Sequence, residues 1–310
     1  MDSILLKTAV PIFLLIGTGF SSRKFKLLKS GDEKVLSSYI YYFALPALLL
    51  VNMAEIPFSM QTVKLIVAGI VPQFAILAIL ITGFLIIRFP TATLYLLMVC
   101  TLFGSHSFFG LPFVMFAFGT RQSEQLAVLS SSFMAMVSVS ITITILEMYK
   151  LRESRIREGI SVVLVKLSRN PLIISIFLGL AIALVGLTLP EPVARPLHML
   201  GSSGITVAIF MLGMSLFGKH YKNWKRALIL ALPRMVLLPL IALALVALFR
   251  IPKMERAILI LMHATPLALA TIVLSERYDF YQDTIPSVML ISSLSAAVSM
   301  NLWLLVLGYR

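Results

Sequence analysis

Two short polar stretches interrupt hydrophobic segments of this chain, and they hold the residue types that bind small anions. The first interruption is 104–112, inside the apolar run 94–118, and the second is 263–266, inside the run 257–275. Lipid cannot satisfy the backbone N–H and C=O groups that a break frees, so each break must line a cavity enclosed by protein. A pair of interruptions at matching positions of two halves indicates the binding site of a membrane transporter.

The breaks predict an anion site built from helix ends. Proline favours the first position of a helix, so Pro112 and Pro266 are predicted to begin the second halves of two broken helices. Each half-helix would direct unpaired N–H groups and about half a unit of positive charge towards the membrane midplane, where carboxylate is the natural ligand. The alternative is that both prolines only kink packed helices. Further groups predicted at the substrate are Ser105, Ser107, Gly110 and Thr265.

Two histidines lie at the breaks, His106 in the first and His263 in the second. Because histidine titrates near neutral pH, either one would be able to carry a coupling proton or, when charged, to contact the anion. The alternative is a neutral imidazole that hydrogen-bonds backbone groups freed by the break. No metal site is predicted, since two histidines without carboxylate neighbours are not a usual ligand set.

Two polar residues inside apolar runs are further candidates for the substrate site. Arg234 lies well within the run 227–249, and a charge inside a membrane segment indicates a functional site by default. The alternative is that its long side chain snorkels to the membrane interface. Asn301, near the end of the last run, is also predicted to face the cavity.

Composition indicates a polytopic membrane protein. Hydrophobic residues make up 59% of the 310 residues and charged residues 13%, a balance that soluble domains do not show. Asp2 replaces the usual basic start of a signal peptide, so the first apolar run is interpreted as a retained span. About ten runs approach the roughly 20 residues that a spanning helix needs: 4–20, 35–53, 64–88, 94–118, 125–149, 170–188, 197–217, 227–249, 257–275 and 284–307.

The net charge of +13 is interpreted as a signal for the orientation of the chain in the membrane, and no nucleic-acid partner is predicted. Lysines and arginines concentrate in the odd-numbered loops, above all in 23–34, 150–169 and 219–226. The basic cluster 250–256 lies in an even-numbered loop and is the one exception. The positive-inside rule therefore places both termini outside the cell membrane. Cys100 is the only cysteine, which excludes a disulfide within the chain.

The basic loop 150–169 separates two halves, 1–149 and 170–310, each with five apolar runs. Because five is odd, the second half must enter the membrane in the opposite sense to the first. Prolines open the third and eighth runs, and paired serines lie in the fifth and tenth: Pro72 and Pro233, Ser130 and Ser131, Ser292 and Ser293. The order predicts two inverted five-helix repeats whose broken fourth and ninth helices cross.

Four stretches of the chain, taken in order, carry a resemblance to a known family. They are Pro11-Ile12-Phe13 with Gly17 and Gly19, the stretch Tyr42-Phe43-Ala44-Leu45-Pro46, the stretch Phe109-Gly110-Leu111-Pro112, and Pro266 followed by Ser275-Glu276-Arg277-Tyr278. This set resembles the auxin efflux carrier family, whose plant members are the PIN carriers and whose microbial members include proposed malate and malonate permeases. The similarity spans nearly the whole chain.

The resemblance implies the ten-helix fold of the bile-acid/sodium symporters. Helices 1, 2, 6 and 7 would form a scaffold, helices 3–5 and 8–10 a moving transport domain, and the broken helices would hold the substrate between them. A homodimer and an elevator-like movement are also implied. Ser105 stands where the family usually carries asparagine, so the substrate and the coupling ion are not carried over.

Enzyme activity is not predicted, because the chain lacks a His-Glu-x-x-His motif, a Gly-x-Ser-x-Gly turn and an aspartate-rich diphosphate motif. The sequence favours a transporter of a small organic anion, such as an auxin-like acid or a dicarboxylate, coupled to protons or uncoupled and without a cofactor. A sodium symporter is the first alternative. Carboxylate ligands for sodium are almost absent from the runs, although hydroxyls and broken-helix carbonyls would still supply oxygens. A channel or a membrane sensor is the second alternative.

Overall fold

The computed structural model describes residues 4–55, 59–150, 168–169, 171–217 and 224–309. Over these ranges the regular elements are helices, and the only strand-like feature is one isolated bridge between Gly104 and Leu267. The predicted linker 150–169 lies outside the described residues except for positions 150, 168 and 169. The helices are α1 (Ile4–Lys24), α2 (Asp32–Ala54), α3 (Met60–Ile87), α4 (Thr91–Leu102), α5 (His106–Phe118), α6 (Arg121–Lys150), α7 (Pro171–Leu184), α8 (Glu191–Leu216), α9 (Trp224–Leu248), α10 (Lys253–His263), α11 (Ala270–Tyr278) and α12 (Thr284–Val306).

Five of these helices are long and apolar enough to cross a membrane, namely α2, α3, α6, α9 and α12. The helices α4 and α5 are apolar but short, because the first break separates them. The prediction of an all-helical membrane protein with several spans is therefore confirmed for the described residues. Ten spans in two inverted repeats, with both termini outside, stay a prediction.

Polarity is distributed as a bilayer requires. Large apolar side chains such as Leu14 and Leu85 point outwards, with 63% and 65% of their surface exposed. Polar side chains such as Gln73 and Ser138 are buried between helices. In water this arrangement would leave large apolar patches uncovered, whereas hydrocarbon covers them at no cost. The outer faces of the helices are therefore the surfaces that contact lipid.

Helices α1, α2, α7 and α8 pack together through glycines. Gly19 of α1 lies so close to α8 that an added Cβ would be 1.9 Å from the Phe210 carbonyl oxygen. Gly213 of α8 is placed reciprocally, 2.0 Å from the Ile16 carbonyl oxygen by the same measure. Gly179 of α7 meets the backbone of α2 at Leu50 in the same way. Small residues let membrane helices approach this closely because no side chain separates their backbones.

The remaining helices pack around α6, which contacts α3, α4, α5 and α10. Helix α9 lies beside α3, α10 and α12. The first turns of α5 also contact α8, so this broken helix lies where the two groups of helices meet. A movement of one group relative to the other stays a prediction.

Three helices contain a wide π turn that ends just before a Leu-Pro pair. The turns are Ile40–Ala44, His106–Gly110 and Pro233–Leu237, and in each case the N–H of the leucine donates to the carbonyl five residues earlier. Proline has no N–H and its ring disturbs the preceding turn, so the helix widens there instead of breaking. Freed carbonyls then need other partners. The Met235 carbonyl, four residues before Pro239, accepts the indole N–H of Trp303 at 2.9 Å.

The close contact between α1 and α8 gives a first prediction. We expect Gly19→Ala to destabilise the protein by about 1–3 kcal/mol, because the added methyl group forces two backbones apart. Gly17→Ala is the matched control on the same helix, where an added Cβ meets nothing within 4 Å. The control should be neutral or slightly stabilising, since alanine favours helix. Thermal unfolding in detergent measures both, and equal midpoints would contradict the close packing.

Candidate functional site

The two breaks pair with each other through their backbones. Ser105 N–H donates to the Pro266 carbonyl at 2.8 Å, and Ala268 N–H donates to the Phe103 carbonyl at 2.9 Å. Between these two hydrogen bonds lies the antiparallel bridge of Gly104 and Leu267. Each break thus satisfies groups that the other exposes, which is required where lipid and bulk water are both excluded. The crossing is a short piece of sheet between four half-helices.

The prolines occupy different places from those predicted. Pro112 is the second residue of the α-helical part of α5, but a π turn precedes it, so the first turn at the break begins at His106. Pro266 does not begin a helix, and that prediction is wrong, because α11 begins at Ala270. Pro266 lies in the extended stretch, where its missing N–H leaves nothing unsatisfied and its carbonyl accepts two donors, from Ser105 and Arg234.

Arg234 lies at the centre of the crossing with only 1% of its surface exposed. Its Nε donates to the carbonyl oxygens of Thr265 at 2.6 Å and Pro266 at 3.3 Å. Its Nη1 donates to those of Thr101 at 2.7 Å and Leu102 at 3.2 Å. Its Nη2 donates to the Thr265 hydroxyl at 2.7 Å. The guanidinium therefore joins the carboxyl-terminal ends of α4 and α10 and does not lie at the membrane edge.

Gly104 provides the space that the guanidinium occupies. A Cβ at position 104 would lie 1.3 Å from Nη2 of Arg234, so any other residue would displace the arginine. The side chain reaches this position from the π turn Pro233–Leu237 of α9. Such a wide turn rotates the residues that follow relative to a regular helix and is common at functional positions.

His106 is held between two neighbouring helices. Its Nδ1 lies 3.1 Å from the Met262 carbonyl oxygen of α10, and its Nε2 lies 3.3 Å from the Ser138 hydroxyl of α6. A carbonyl can only accept, so Nδ1 carries the proton and Nε2 is free to accept from the serine. This geometry fits the neutral imidazole bound to backbone freed by the break, and the role of His106 in carrying a coupling proton stays a prediction.

His263 is one of several buried polar side chains, among the described residues, whose hydrogen bonding is incomplete. It is fully buried at the end of α10, and neither ring nitrogen has a hydrogen-bond partner of ordinary geometry among the described residues, although the backbone of Gly69 is close. The hydroxyl of Thr101, beside the guanidinium, is also without a partner in that part of the chain. Buried polar groups of this kind are typical of internal water positions.

A narrow cavity lies between α8 and the crossing, with room for about one water molecule in this conformation. The polar residues that line it are Ser105 and Ser293, which both carry hydroxyl groups. None of its described lining residues is acidic. Its apolar walls are Phe108, Phe109, Ala208, Ile209, Leu267, Leu269 and Met289. Phe108 and Phe109 belong to the first turn of α5, and Leu269 directly precedes α11. The amino-terminal ends of both second half-helices therefore face this space.

Helix dipoles give the crossing two electrical sides. The carboxyl ends of α4 and α10 carry partial negative charge, and the guanidinium of Arg234 neutralises it. The amino ends of α5 and α11 carry partial positive charge, and they lie at the cavity. An anion in the cavity would meet favourable potential without contacting the arginine.

The structure brings the predicted site residues to one crossing but places only Ser105 among those that line the cavity. His106, His263, Thr265, Pro266 and Arg234 lie in or behind the crossing. Their contact with a substrate stays a prediction, as it does for the residues that follow. Gly110 packs against Met262 and Thr265, Ser107 is half-buried, Pro112 is buried within α5, and Asn301 is buried and donates to the Ala297 carbonyl at 2.6 Å.

Sequence reasoning missed the walls contributed by α8 and α12. Ser293 lines the cavity, and its neighbour Ser292 accepts the Leu267 N–H at 3.1 Å, which fixes the extended stretch. The only sign of this role in the sequence is the repeated serine pair, which indicates close helix packing equally well. Ala208 and Ile209 give no sign, because apolar residues are unremarkable in an apolar helix.

Broken helices that cross beside a small cavity in a multi-pass helical chain are typical of membrane transport proteins. The chain belongs to the auxin efflux carrier family, whose family model, described as "Membrane transport protein", matches residues 4–304. It is also similar to an uncharacterized transporter of Methanocaldococcus jannaschii, with 24% identity over 313 residues that cover 98% of this chain and 97% of that protein. The resemblance seen in the sequence is thereby confirmed.

The hydrogen bonds of His106 give a second prediction. We expect His106→Ala to lower the free energy of unfolding by about 1–3 kcal/mol, since it removes one of two side-chain donors to the buried Met262 carbonyl and leaves the buried Ser138 hydroxyl without its imidazole partner. The loss in free energy of unfolding for His106→Asn should be smaller than that for His106→Ala, because the asparagine amide N–H replaces Nδ1–H but does not reach Ser138. Thermal or chemical unfolding of the purified variants measures the order.

His198 supplies the control for this comparison. Its Nε2 lies 3.0 Å from Glu55 Oε1, but its side chain is 37% exposed. We expect His198→Ala to cost less than about 1 kcal/mol, as is usual for exposed ion pairs. Equal losses for His106→Ala and His198→Ala would mean that the two buried hydrogen bonds contribute nothing.

Proposed function

We propose that this protein is a secondary transporter that moves a small organic anion, most simply a carboxylate, across the cell membrane by alternating access. The observation that carries the proposal is the cavity at the amino-terminal ends of α5 and α11. The partially positive amino-terminal ends of two helices meet there, and helix amino termini bind anions for this reason.

The lining of the cavity supports an anionic guest. Hydroxyl groups of Ser105 and Ser293 would donate hydrogen bonds to a carboxylate. The apolar walls would cover a short carbon skeleton once the helices on the two sides of the narrow cavity move apart to admit it. Acidic side chains, which would repel the anion and attract cations, are not among the described lining residues. A site for an organic cation would need the opposite arrangement.

The position of the cavity supports alternating access. One wall is α8, which packs with α1 and α2, and the other is the crossing with α12. A site between two separately packed groups is exposed to opposite sides of a membrane when one group moves past the other. We propose that α1, α2, α7 and α8 form the scaffold, that the other helices carry the substrate in an elevator-like movement, and that the chain works as a homodimer of ten-span inverted repeats.

Charge selectivity gives the third prediction. In proteoliposomes near pH 7, carboxylates should exchange at least about tenfold faster than their neutral amides, which corresponds to roughly 1.4 kcal/mol of lost interaction with two helix ends. A panel of short mono- and dicarboxylates, each paired with its amide, measures this by counterflow. Equal rates for acid and amide in the best pair would contradict the anion site.

The cavity itself gives the fourth prediction. We expect Ser293→Leu to reduce counterflow by about tenfold or more, because the larger side chain fills the space and overpacking costs about 1–3 kcal/mol. Ser295→Leu is the matched control, since residue 295 lies on the same helix but does not line the cavity. Unfolding midpoints should be recorded for both variants. Loss of transport in both, or in neither, would place the substrate elsewhere.

A further inference from the structure

The acceptors around the Arg234 guanidinium form a shell of oxygens only. Four are backbone carbonyls, those of Thr101, Leu102, Thr265 and Pro266, and the fifth is the Thr265 hydroxyl, all at 2.6–3.3 Å. Carbonyl and hydroxyl oxygens are also the ligands that hard metal cations take from proteins. In this chain these oxygens surround the three nitrogens of an arginine side chain.

The charge of Arg234 is balanced without a carboxylate. Buried arginines are normally paired with an acid, yet the hydrogen bonds of this one all go to neutral oxygens. Among the described ion pairs none involves Arg234. The counter-charge comes from the carboxyl-terminal ends of α4 and α10, whose dipoles are negative there. The same two ends would attract a small metal ion just as well.

The fit between guanidinium and crossing is tight. Gly104 has no side chain to occupy the position of Nη2, and the Thr265 hydroxyl accepts from Nη2 while it donates to the Met262 carbonyl at 2.8 Å. Removing the guanidinium would therefore leave a hole of its own size, lined by unpaired carbonyls. Such a hole is costly when empty and suits a free guanidinium ion or a small metal cation.

We propose that Arg234 is a built-in cation: its guanidinium takes the place at the crossing that a coupling ion such as sodium would otherwise fill, so this chain transports without sodium. A covalently held charge stays in place throughout the transport cycle, and for that reason it cannot draw on an ion gradient. The statement about transport rests on the proposed function, whereas the statement about the cation position does not.

The test is chemical rescue of Arg234→Ala. Purified Arg234→Ala should unfold at a lower temperature than wild type, and guanidinium at millimolar concentration should raise its midpoint by roughly 5 °C while leaving wild type unchanged. In proteoliposomes, wild-type counterflow should be the same in sodium as in choline. The variant should lose about tenfold or more and recover when guanidinium or sodium is added.

Two further variants keep the result interpretable if Arg234→Ala does not fold. Arg234→Lys retains the charge but not the five-donor fork, so it should fold and remain independent of sodium at a reduced rate. Arg226→Ala removes an exposed arginine of the same helix and should behave as wild type in every assay.

Three results would overturn the proposal. They are sodium dependence of the wild type, full stability of Arg234→Ala without any added cation, and failure of every tested cation to stabilise Arg234→Ala while Arg234→Lys is equally impaired. The unfolding assay contains no substrate. If guanidinium stabilises the variant but no carboxylate is transported, the cation position stands and the proposed function fails.

Discussion

The crossing of the two broken helices depends on the hydrogen bonds of one guanidinium. Helices α4 and α10 each end inside the protein, where neither lipid nor bulk water can satisfy their last carbonyls. Arg234 reaches both ends and supplies donors to carbonyls on each side. A bond from a charged donor is stronger than a neutral one, and it opposes the negative helix ends as well. Without such a group the last carbonyls of α4 and α10 would lose the charged donor that joins them.

The other side chains at the breaks complete this arrangement. His106 donates a hydrogen bond to the Met262 carbonyl, and the Ser292 hydroxyl accepts one from the Leu267 N–H. The backbones of the two extended stretches pair directly. The carboxyl-terminal side of the crossing is thus occupied by protein donors. The first turn of α5, with Ser105 before it, and the stretch that leads into α11 face the cavity. The negative carboxyl-terminal helix ends are therefore bound within the fold, and the positive amino-terminal helix ends are left for a ligand.

The sequence was sufficient to predict two broken helices that cross, but not the contacts that each residue at the crossing makes. Apolar run lengths and the two interruptions sufficed to predict the helices and breaks, because lipid imposes simple rules on both. The structural roles of Arg234 and His106 depend on contacts with Thr265 and Met262, which are distant in sequence. Pro266 was assigned to a helix start because proline favours that position locally, whereas pairing with the other break holds it extended.

One pair of positions that the sequence pattern predicts to match carries different residues, and the difference follows from the geometry. Pro72-Gln73 in α3 and Pro233-Arg234 in α9 hold matching places in the sequence pattern. Gln73 donates to the Met134 carbonyl of α6 and carries no charge, while Arg234 serves both breaks alone. The ends of α4 and α10 meet at one point, so a single cation neutralises both. A second arginine in the matching place would bring a like charge into the same low-dielectric core without further carbonyls to bind. One charged residue and one neutral residue at this predicted pair of positions therefore suit a crossing at which both helix ends meet.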